Sequence, residues 1–455
     1  MPREGPLRPA RAAGRLGFRS RAAGLTIGDA PDIIDAFGRE IAALYAAGYC
    51  YPQVYVCLAR GTLLGFTHNV FRNEVYVMAR EYNVIDADGH ILEPPDLWER
   101  YSDPKYREHC PKLVIDAEGN ESFFVDESFD FGLRRRGKEP ATLGVLGSIG
   151  SREGEIDSRM PYLEGRKGGF DPHARIVDMD REGIDAAFLY PSLGLFLGGM
   201  KDPDAAAAAC RAYNRWLADY CKPYPERLFG AAMLPMQSSV EQLIDEVRFA
   251  RRELGFRTGF VRPNPYNDRP LHDRAYYPLW QEAQELDFAI GIHGGAESGQ
   301  QTLGMDRFKH GGAVRHAVAH TFEMMAASTS MIMCGVCDKF PRLRVAFLES
   351  GGGWMAGWLD RMDRHFDDKG MNDTGLSMRP SEIYRRQCFV SFEPVERSLK
   401  LLADYLGADT ILWATDYPHL DGFWGAAKMI KKMGMPPQTE AAVLAGGAKR
   451  LYNLH

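Results

Sequence analysis

Eight short apolar runs recur from residue 84 onward, and this repetition constrains the fold more than any other feature of the sequence. The runs are rich in β-branched and aromatic residues, which is typical of buried strands. We predict strands at Val84–Asp88, Ala186–Tyr190, Leu228–Leu234, Gly259–Arg262, Phe288–His293, Val345–Leu348, Phe389–Phe392 and Ile411–Ala414.

Stretches with helical periodicity separate these runs. Alternating strands and helices predict an α/β protein with a parallel sheet, and eight such units predict a (β/α)₈ TIM barrel. The active site of such a barrel lies at the carboxyl ends of its strands. We predict helices at Ala174–Glu182, Ala205–Cys221, Val240–Leu254, Pro278–Glu285, Phe322–Lys339, Met355–Asp368 and Ser398–Leu406.

Two segments fall outside this alternation. Residues 1–77 carry nine arginines, no lysine and six acidic residues, whereas the remainder of the chain has an acidic excess. We therefore expect 1–77 to be an N-terminal extension, either disordered or the product of a misassigned start, and 78–455 to form the barrel.

Residues 101–170 contain a predicted hairpin at 113–125. We expect this segment to be an insertion after the first strand, acting either as a lid over the strand ends or as a surface decoration.

The charge and cysteine content limit the partners and the compartment. The formal net charge is −6 and the isoelectric point is near 6.1, whereas a nucleic-acid or anionic-membrane surface needs a cationic excess. We therefore predict a small-molecule substrate, no nucleic-acid partner and no membrane association. Eight scattered cysteines lack the spacing of a disulfide framework, which favours a reducing, cytoplasmic setting. We also expect a homo-oligomer.

Polar residues follow several of the predicted strands directly. Asp88 and His90 end the first strand two residues apart and so project to the same face, while His293 ends the fifth, Glu349 follows the sixth and Asp416 follows the eighth. In a barrel these side chains converge on one pocket. Two histidines with two or three carboxylates suit one divalent metal, with zinc first and iron or manganese as alternatives.

Other polar residues near the strand ends have two alternative roles each. Arg262, after the fourth strand, either binds a substrate carboxylate through its guanidinium or serves a structural role. His320 follows the fifth strand, where it is a candidate proton shuttle. His316, His320 and His419 each act either in catalysis or in support of the site residues, or else as ordinary surface or capping residues.

Three segments together carry a resemblance to a known family: DADGHILEPPDLWERY, FEMMAASTSMIMCGVCDKFPRLRVAFLESGGGWM and ILWATDYPH. They resemble the amidohydrolase-related family of the amidohydrolase superfamily, the aminocarboxymuconate semialdehyde decarboxylase-like metal-dependent hydrolases and decarboxylases. The resemblance covers about 78–455 and implies a mononuclear-metal barrel. It assigns the metal ligands to Asp88, His90, His293 and Asp416.

The sequence departs from this family pattern at two positions. Asp88 stands where many members have histidine, and an oxygen ligand there favours iron or manganese over zinc. Glu349 stands where a histidine commonly acts as a general acid or base, and it serves there either as an additional metal ligand or as a general base.

Three functions follow as alternatives. The main expectation is a metal-dependent hydrolase in which activated water attacks a small carboxylated, ester-like, thioester-like or β-dicarbonyl substrate, with Glu349 or Asp416 accepting the proton. The alternative is a metal-dependent decarboxylase, in which His320 supplies a proton to the substrate carbon. A third possibility, from another class, is a barrel that binds a ligand without turnover.

Overall fold

The computed structural model describes residues 80–126, 129–132, 139–295, 300–308 and 312–454. The N-terminal extension expected over 1–77 lies outside these residues, so its expected character stays a prediction.

Eight parallel strands form a nearly closed barrel, which confirms the predicted fold. Each of the eight predicted strands is present, with bounds that shift by at most two residues. Numbered in chain order, the strands are β1 (Ile85–His90), β2 (Lys112–Ile115), β3 (Glu121–Asp126), β4 (Phe129–Gly132), β5 (Ala186–Tyr190), β6 (Leu228–Met233), β7 (Thr258–Val261), β8 (Ala289–His293), β9 (Val345–Leu348), β10 (Cys388–Phe392) and β11 (Ile411–Trp413).

The barrel strands follow one another around the sheet in the order β1, β5, β6, β7, β8, β9, β10 and β11. They pair with their neighbours in parallel. Nearly all of their residues are buried, because the interior of the barrel covers one face and the helices cover the other. This double burial explains why the strands are continuous apolar runs in the sequence.

Helices connect the barrel strands, and several begin at recognisable caps. Asp202 caps the helix that follows β5, and Ser239 forms a capping box with Gln242 at the next helix. The α-helices are α1 (Leu97–Tyr101), α2 (Lys167–Phe170), α3 (Pro172–Glu182), α4 (Pro203–Cys221), α5 (Val240–Arg252), α6 (Tyr277–Glu285), α7 (Gly312–Met331), α8 (Val336–Lys339), α9 (Trp354–Asp367), α10 (Pro380–Gln387), α11 (Leu399–Leu406), α12 (Ala426–Lys432), α13 (Pro437–Ala441) and α14 (Gly447–Tyr452).

One predicted helix has the wrong bounds. The prediction of a single helix at Phe322–Lys339 followed the apolar run, but α7 already begins at Gly312 and a separate short helix, α8, follows it. The break lies at Gly335, whose φ of +84° is the left-handed conformation that glycine adopts readily. The earlier start places His316 and His320 on α7.

The insertion after β1 contains the predicted hairpin. Strands β2 and β3 pair antiparallel, and β4 adds a third strand to this small sheet. Further along the insertion, the backbone amide of Ile149 donates to Pro418 O at 2.9 Å, and that of Leu420 donates to Val145 O at 3.1 Å. The insertion is therefore tied to the loop after β11, and its action as a lid stays a prediction.

Within the part of the chain that the structure describes, no helix is both long and apolar enough to cross a lipid bilayer.

Candidate active site at the carboxyl ends of the barrel strands

Five predicted site residues lie at the carboxyl ends of four barrel strands. Asp88 and His90 belong to β1, and His293 is the last residue of β8. Glu349 follows β9 directly, and Asp416 lies three residues beyond β11. Because parallel barrel strands all end on the same side, these residues lie together in space.

Asp88, His90 and His293 bring ligand atoms to within 4.8 Å of one another, and Asp416 approaches His90; we call Asp88, His90, His293 and Asp416 the ligand cluster. His90 Nε2 lies 3.1 Å from His293 Nε2, 3.3 Å from Asp416 Oδ1 and 3.9 Å from Asp88 Oδ1. His293 Nε2 lies 3.5 Å from the same Asp88 oxygen. Two ligands that bind one ion at about 2.1 Å are about 3.0–3.5 Å apart, and three of these four distances fall within that range, which suits a cation between the side chains.

The hydrogen bonds of the two cluster histidines orient their rings. His90 Nδ1 donates to Pro191 O and His293 Nδ1 donates to Gly294 O, each at 2.8 Å. Because a carbonyl oxygen only accepts, each Nδ1 carries a proton and each Nε2 faces the cluster as a potential ligand.

One carboxylate oxygen in the cluster lacks a partner. Asp88 is 2% exposed, and its Oδ1 atom has no hydrogen-bond partner among the described residues. His293 Nε2, 3.5 Å away, offsets only part of the cost of burying this charge without a hydrogen bond, and a cation bound beside the oxygen would offset more of it. The orphaned oxygen and the two imidazole nitrogens therefore fit a divalent metal ion.

The pKa values within the cluster reflect crowding of buried acids and imidazoles. Burial raises the pKa of Asp88 to about 8, and burial likewise raises the pKa of Asp416 well above its usual value. Burial lowers the pKa of His90. For His293, the effect of burial is outweighed by the Asp88 and Glu349 carboxylates, which raise its pKa to about 9. Protonated His293 thus carries one positive charge beside the Asp88 and Glu349 carboxylates, whereas a divalent metal ion bound there would carry two.

Glu349 borders the ligand cluster. Its Oε2 atom lies 3.0 Å from His293 Nε2. Burial raises the pKa of the Glu349 carboxyl, but His293 and His320 outweigh this effect and hold the pKa well below its usual value. Both Glu349 and Asp416 adopt a left-handed backbone, with φ near +50°. Such a conformation costs a non-glycine residue about 1–3 kcal/mol and is found most often at functional sites.

His320 lies on α7, beside Glu349. Its Nδ1 atom donates to Glu349 O at 2.9 Å and lies 3.8 Å from Glu349 Oε1. Burial lowers the pKa of His320 to about 4, so the ring is neutral at neutral pH. The structure therefore places His320 in contact with one predicted catalytic residue.

Other polar residues extend the site on the side of the loop after β11. His419 Nδ1 donates to Asp416 Oδ1 at 2.9 Å, and its Nε2 lies 2.7 Å from Ser192 Oγ. His316 stacks on the ring of His320, and its Nε2 lies 3.3 Å from Asp421 Oδ2.

The sequence prediction did not include Ser192 or Asp421. The polar residues of the segment DYPHLD after the eighth strand were the available signal for Asp421. Ser192 had no comparable signal, because a serine in a turn is common.

Arg262 contacts the loop that follows His293. Its guanidinium is fully buried, Nη1 donates to Gly294 O at 3.0 Å, and Nη2 donates to Gly295 O. These bonds hold the loop that follows His293. The predicted contact between Arg262 and a substrate carboxylate stays a prediction.

Comparison with known proteins finds both curated relatives and solved structures that are similar to this chain. The 2-amino-3-carboxymuconate-6-semialdehyde decarboxylase of Dictyostelium discoideum is 26% identical over 279 residues, which cover 61% of this chain and 75% of that protein. An amidohydrolase structure from Mycobacterium avium subsp. paratuberculosis K-10 has a TM-score of 0.67 and 22% identity, and the match covers 83% of this chain and 99% of that one.

A second solved structure has a similar fold. The 5-carboxyvanillate decarboxylase from Novosphingobium aromaticivorans DSM 12444, complexed with manganese and 4-hydroxy-3-methoxy-5-nitrobenzoic acid, has a TM-score of 0.58 and 20% identity, covering 82% of this chain and 96% of that one. Residues 85–454 match the family model described as Amidohydrolase. Because this match spans most of the chain and agrees with the barrel and its polar strand ends, the protein belongs to the amidohydrolase family.

Proposed function

We propose that the protein is a metal-dependent decarboxylase that acts on a small carboxylated substrate. The observation that carries this proposal is the ligand cluster, in which the unpartnered Asp88 oxygen faces two oriented imidazoles. The Dictyostelium relative and the Novosphingobium neighbour are both named as decarboxylases. Hydrolysis, our main expectation from the sequence, is not confirmed, and the decarboxylase alternative agrees better with these relatives.

The ligand cluster would hold the metal. A divalent ion bound there would polarise a substrate oxygen and stabilise the negative charge that develops when CO₂ leaves. Manganese is the ion we would test first, because it is bound in the Novosphingobium structure and carboxylate oxygens suit it. Zinc and iron remain the alternatives.

The chain's own residues orient the ligands. Ser192 Oγ lies 2.6 Å from Ile91 O and forms a 2.7 Å hydrogen bond with His419 Nε2. His419 in turn donates to Asp416 from its other nitrogen. This chain of hydrogen bonds fixes the Asp416 carboxylate, as outer residues commonly do for metal ligands.

Decarboxylation breaks a carbon–carbon bond and leaves its electron pair on the substrate carbon, which must then gain a proton. We assign the delivery of that proton to His320. An anionic substrate beside the ring favours the imidazolium form, because an opposite charge raises the pKa of an imidazole. The ring then gives its proton to the carbon as CO₂ departs, and solvent restores it. Glu349 stays ionised and orients His293.

The test is metal-dependent release of CO₂. Protein treated with a chelator and reloaded with Mn²⁺ would be incubated with 5-carboxyvanillate and with 2-amino-3-carboxymuconate-6-semialdehyde, the compounds named in the relatives. We expect CO₂ from at least one carboxylated compound, no release without metal, and none from Asp416→Asn. The variant Asp404→Asn, which changes an exposed carboxylate on α11, is the matched control.

Other outcomes would contradict the proposal. If the protein hydrolysed esters or lactones from a substrate panel and released no CO₂ from any carboxylate, the assignment would return to hydrolysis. Absence of both turnover and bound metal would favour the ligand-binding barrel.

A further inference from the structure

The barrel has a seam where its last strand meets its first. Each of the other barrel strands pairs with the next through a parallel ladder, but no such ladder joins β11 to β1 among the described residues. Two of the four ligand-cluster residues, Asp88 and His90, lie on one side of this seam, and Asp416 lies on the other. The distance between these ligands therefore depends on whatever closes the seam.

The Asp86 side chain bridges the seam. It is 1% exposed, and its carboxylate accepts hydrogen bonds from both the backbone N–H and the hydroxyl of Thr415, the former at 3.0 Å. The Thr415 hydroxyl in turn accepts from the backbone N–H of Tyr417 at 3.1 Å. Asp86 thus holds the residues on both sides of Asp416, one directly and one through Thr415.

Arg175, on α3, completes the connection. Its Nη2 lies 3.8 Å from Asp86 Oδ2, and its Nη1 donates to His90 O at 2.7 Å. The guanidinium also lies 4.0 Å from the ring centroid of Tyr417. The backbone N–H of His90 donates to Tyr417 O at 2.6 Å. One buried ion pair therefore contacts the backbone of a ligand on β1 and the loop that carries the ligand after β11.

We propose that Asp86 is a positioning residue. Its hydrogen bonds hold the loop after β11 against β1 and thereby set the distance between the Asp88–His90 pair and Asp416. The proposal rests on the proposed function in one respect, the cation held by the ligand cluster. Asp86 is distinct from the ligands themselves, since its oxygens are engaged with Thr415 and Arg175.

A purely structural ion pair would lower stability when broken but leave metal affinity unchanged. The chain offers a matched example in Glu246, which is 3% exposed, ion-paired with Arg211 and hydrogen-bonded to Asn214. It lies on α5, outside the barrel interior. Glu246→Gln is therefore the control for breaking a buried acid–arginine pair.

The experiment measures Mn²⁺ affinity by chelator competition in four variants besides the wild type. Asp86→Asn removes the charge, Thr415→Val removes the hydroxyl at nearly constant volume, and Thr415→Ser keeps it. We expect Asp86→Asn and Thr415→Val to weaken Mn²⁺ binding by about 10–100-fold, the usual effect of losing an outer contact of a metal site. Thr415→Ser and Glu246→Gln should bind like the wild type.

Hydrogen exchange of the metal-free proteins gives a second readout. Amides in 411–423 should exchange faster in Asp86→Asn and Thr415→Val than in Glu246→Gln. Wild-type Mn²⁺ affinity in both seam variants would overturn the inference. A wild type that binds no Mn²⁺ would contradict the proposed function instead. In that case, unchanged hydrogen exchange over 411–423 in Asp86→Asn and Thr415→Val would by itself reject the positioning role of Asp86. If Asp86→Asn fails to fold, the Thr415 pair decides the question.

Discussion

Asp88→Asn is the most discriminating change in the ligand cluster, because it separates metal binding from stability. The Asp88 side chain is buried, and one of its oxygens has no hydrogen-bond partner among the described residues. The amide has the same shape but no charge. We expect the variant to lose Mn²⁺ binding and, without metal, to be more stable than the wild type at pH 8.

The size of the gain follows from the pKa of Asp88, which burial raises from 3.8 to about 8. At about 1.4 kcal/mol per pKa unit, this shift sets an upper limit of about 6 kcal/mol on the cost of ionised Asp88. The asparagine amide is itself a buried polar group that costs free energy, so only part of that amount is gained. We therefore expect the free energy of unfolding to rise by about 1–3 kcal/mol at pH 8.

The pH dependence has a definite sign. A carboxyl whose pKa is raised by folding binds more protons in the folded state than in the unfolded state. Its cost to stability therefore appears as the pH rises from about 4, the pKa of an unfolded aspartate, to about 8. The advantage of Asp88→Asn should be smaller at pH 5 than at pH 8.

Urea unfolding of chelator-treated proteins at pH 5 and pH 8, repeated with Mn²⁺, measures both effects. The exposed change Asp404→Asn should match the wild type in every condition. The reasoning fails if metal-free Asp88→Asn is less stable than the wild type at pH 8. Retained stabilisation by Mn²⁺ would remove Asp88 from the ligand set.

Three further changes test the site. Asp416→Asn should lower kcat/KM by at least about 10³-fold, or about 4 kcal/mol, with an unchanged circular dichroism spectrum. Arg262→Met removes the hydrogen-bond donor of the Gly294 and Gly295 carbonyls, which leaves buried acceptors unpaired. The free energy of unfolding, measured in urea, should fall by about 2–4 kcal/mol. A variant with a raised KM and unchanged stability would instead support a contact between Arg262 and the substrate. His320→Asn should lower kcat by about 10²–10⁴-fold with unchanged Mn²⁺ affinity, and weakened Mn²⁺ binding would place His320 among the ligands.

The sequence determined the barrel and the location of the site. Burial on both faces makes each barrel strand a continuous apolar run, so the eight strands can be recognised without knowing what lies beside them. Polar residues directly after such runs, such as His293 and Glu349, must lie at one end of a parallel barrel. Local order along the chain was sufficient for these inferences.

Tertiary structure decided how the side chains are connected. The approach of Asp86 to Thr415, 329 residues away in sequence, depends on the closure of the barrel. The contact of Ser192 with His419 depends on two loops that no local pattern links. Arg262 was placed correctly after its strand, but only the structure shows its guanidinium bound to backbone carbonyls. Sequence periodicity records which face of an element is buried, whereas the partners of a buried polar group are set by how distant elements pack together.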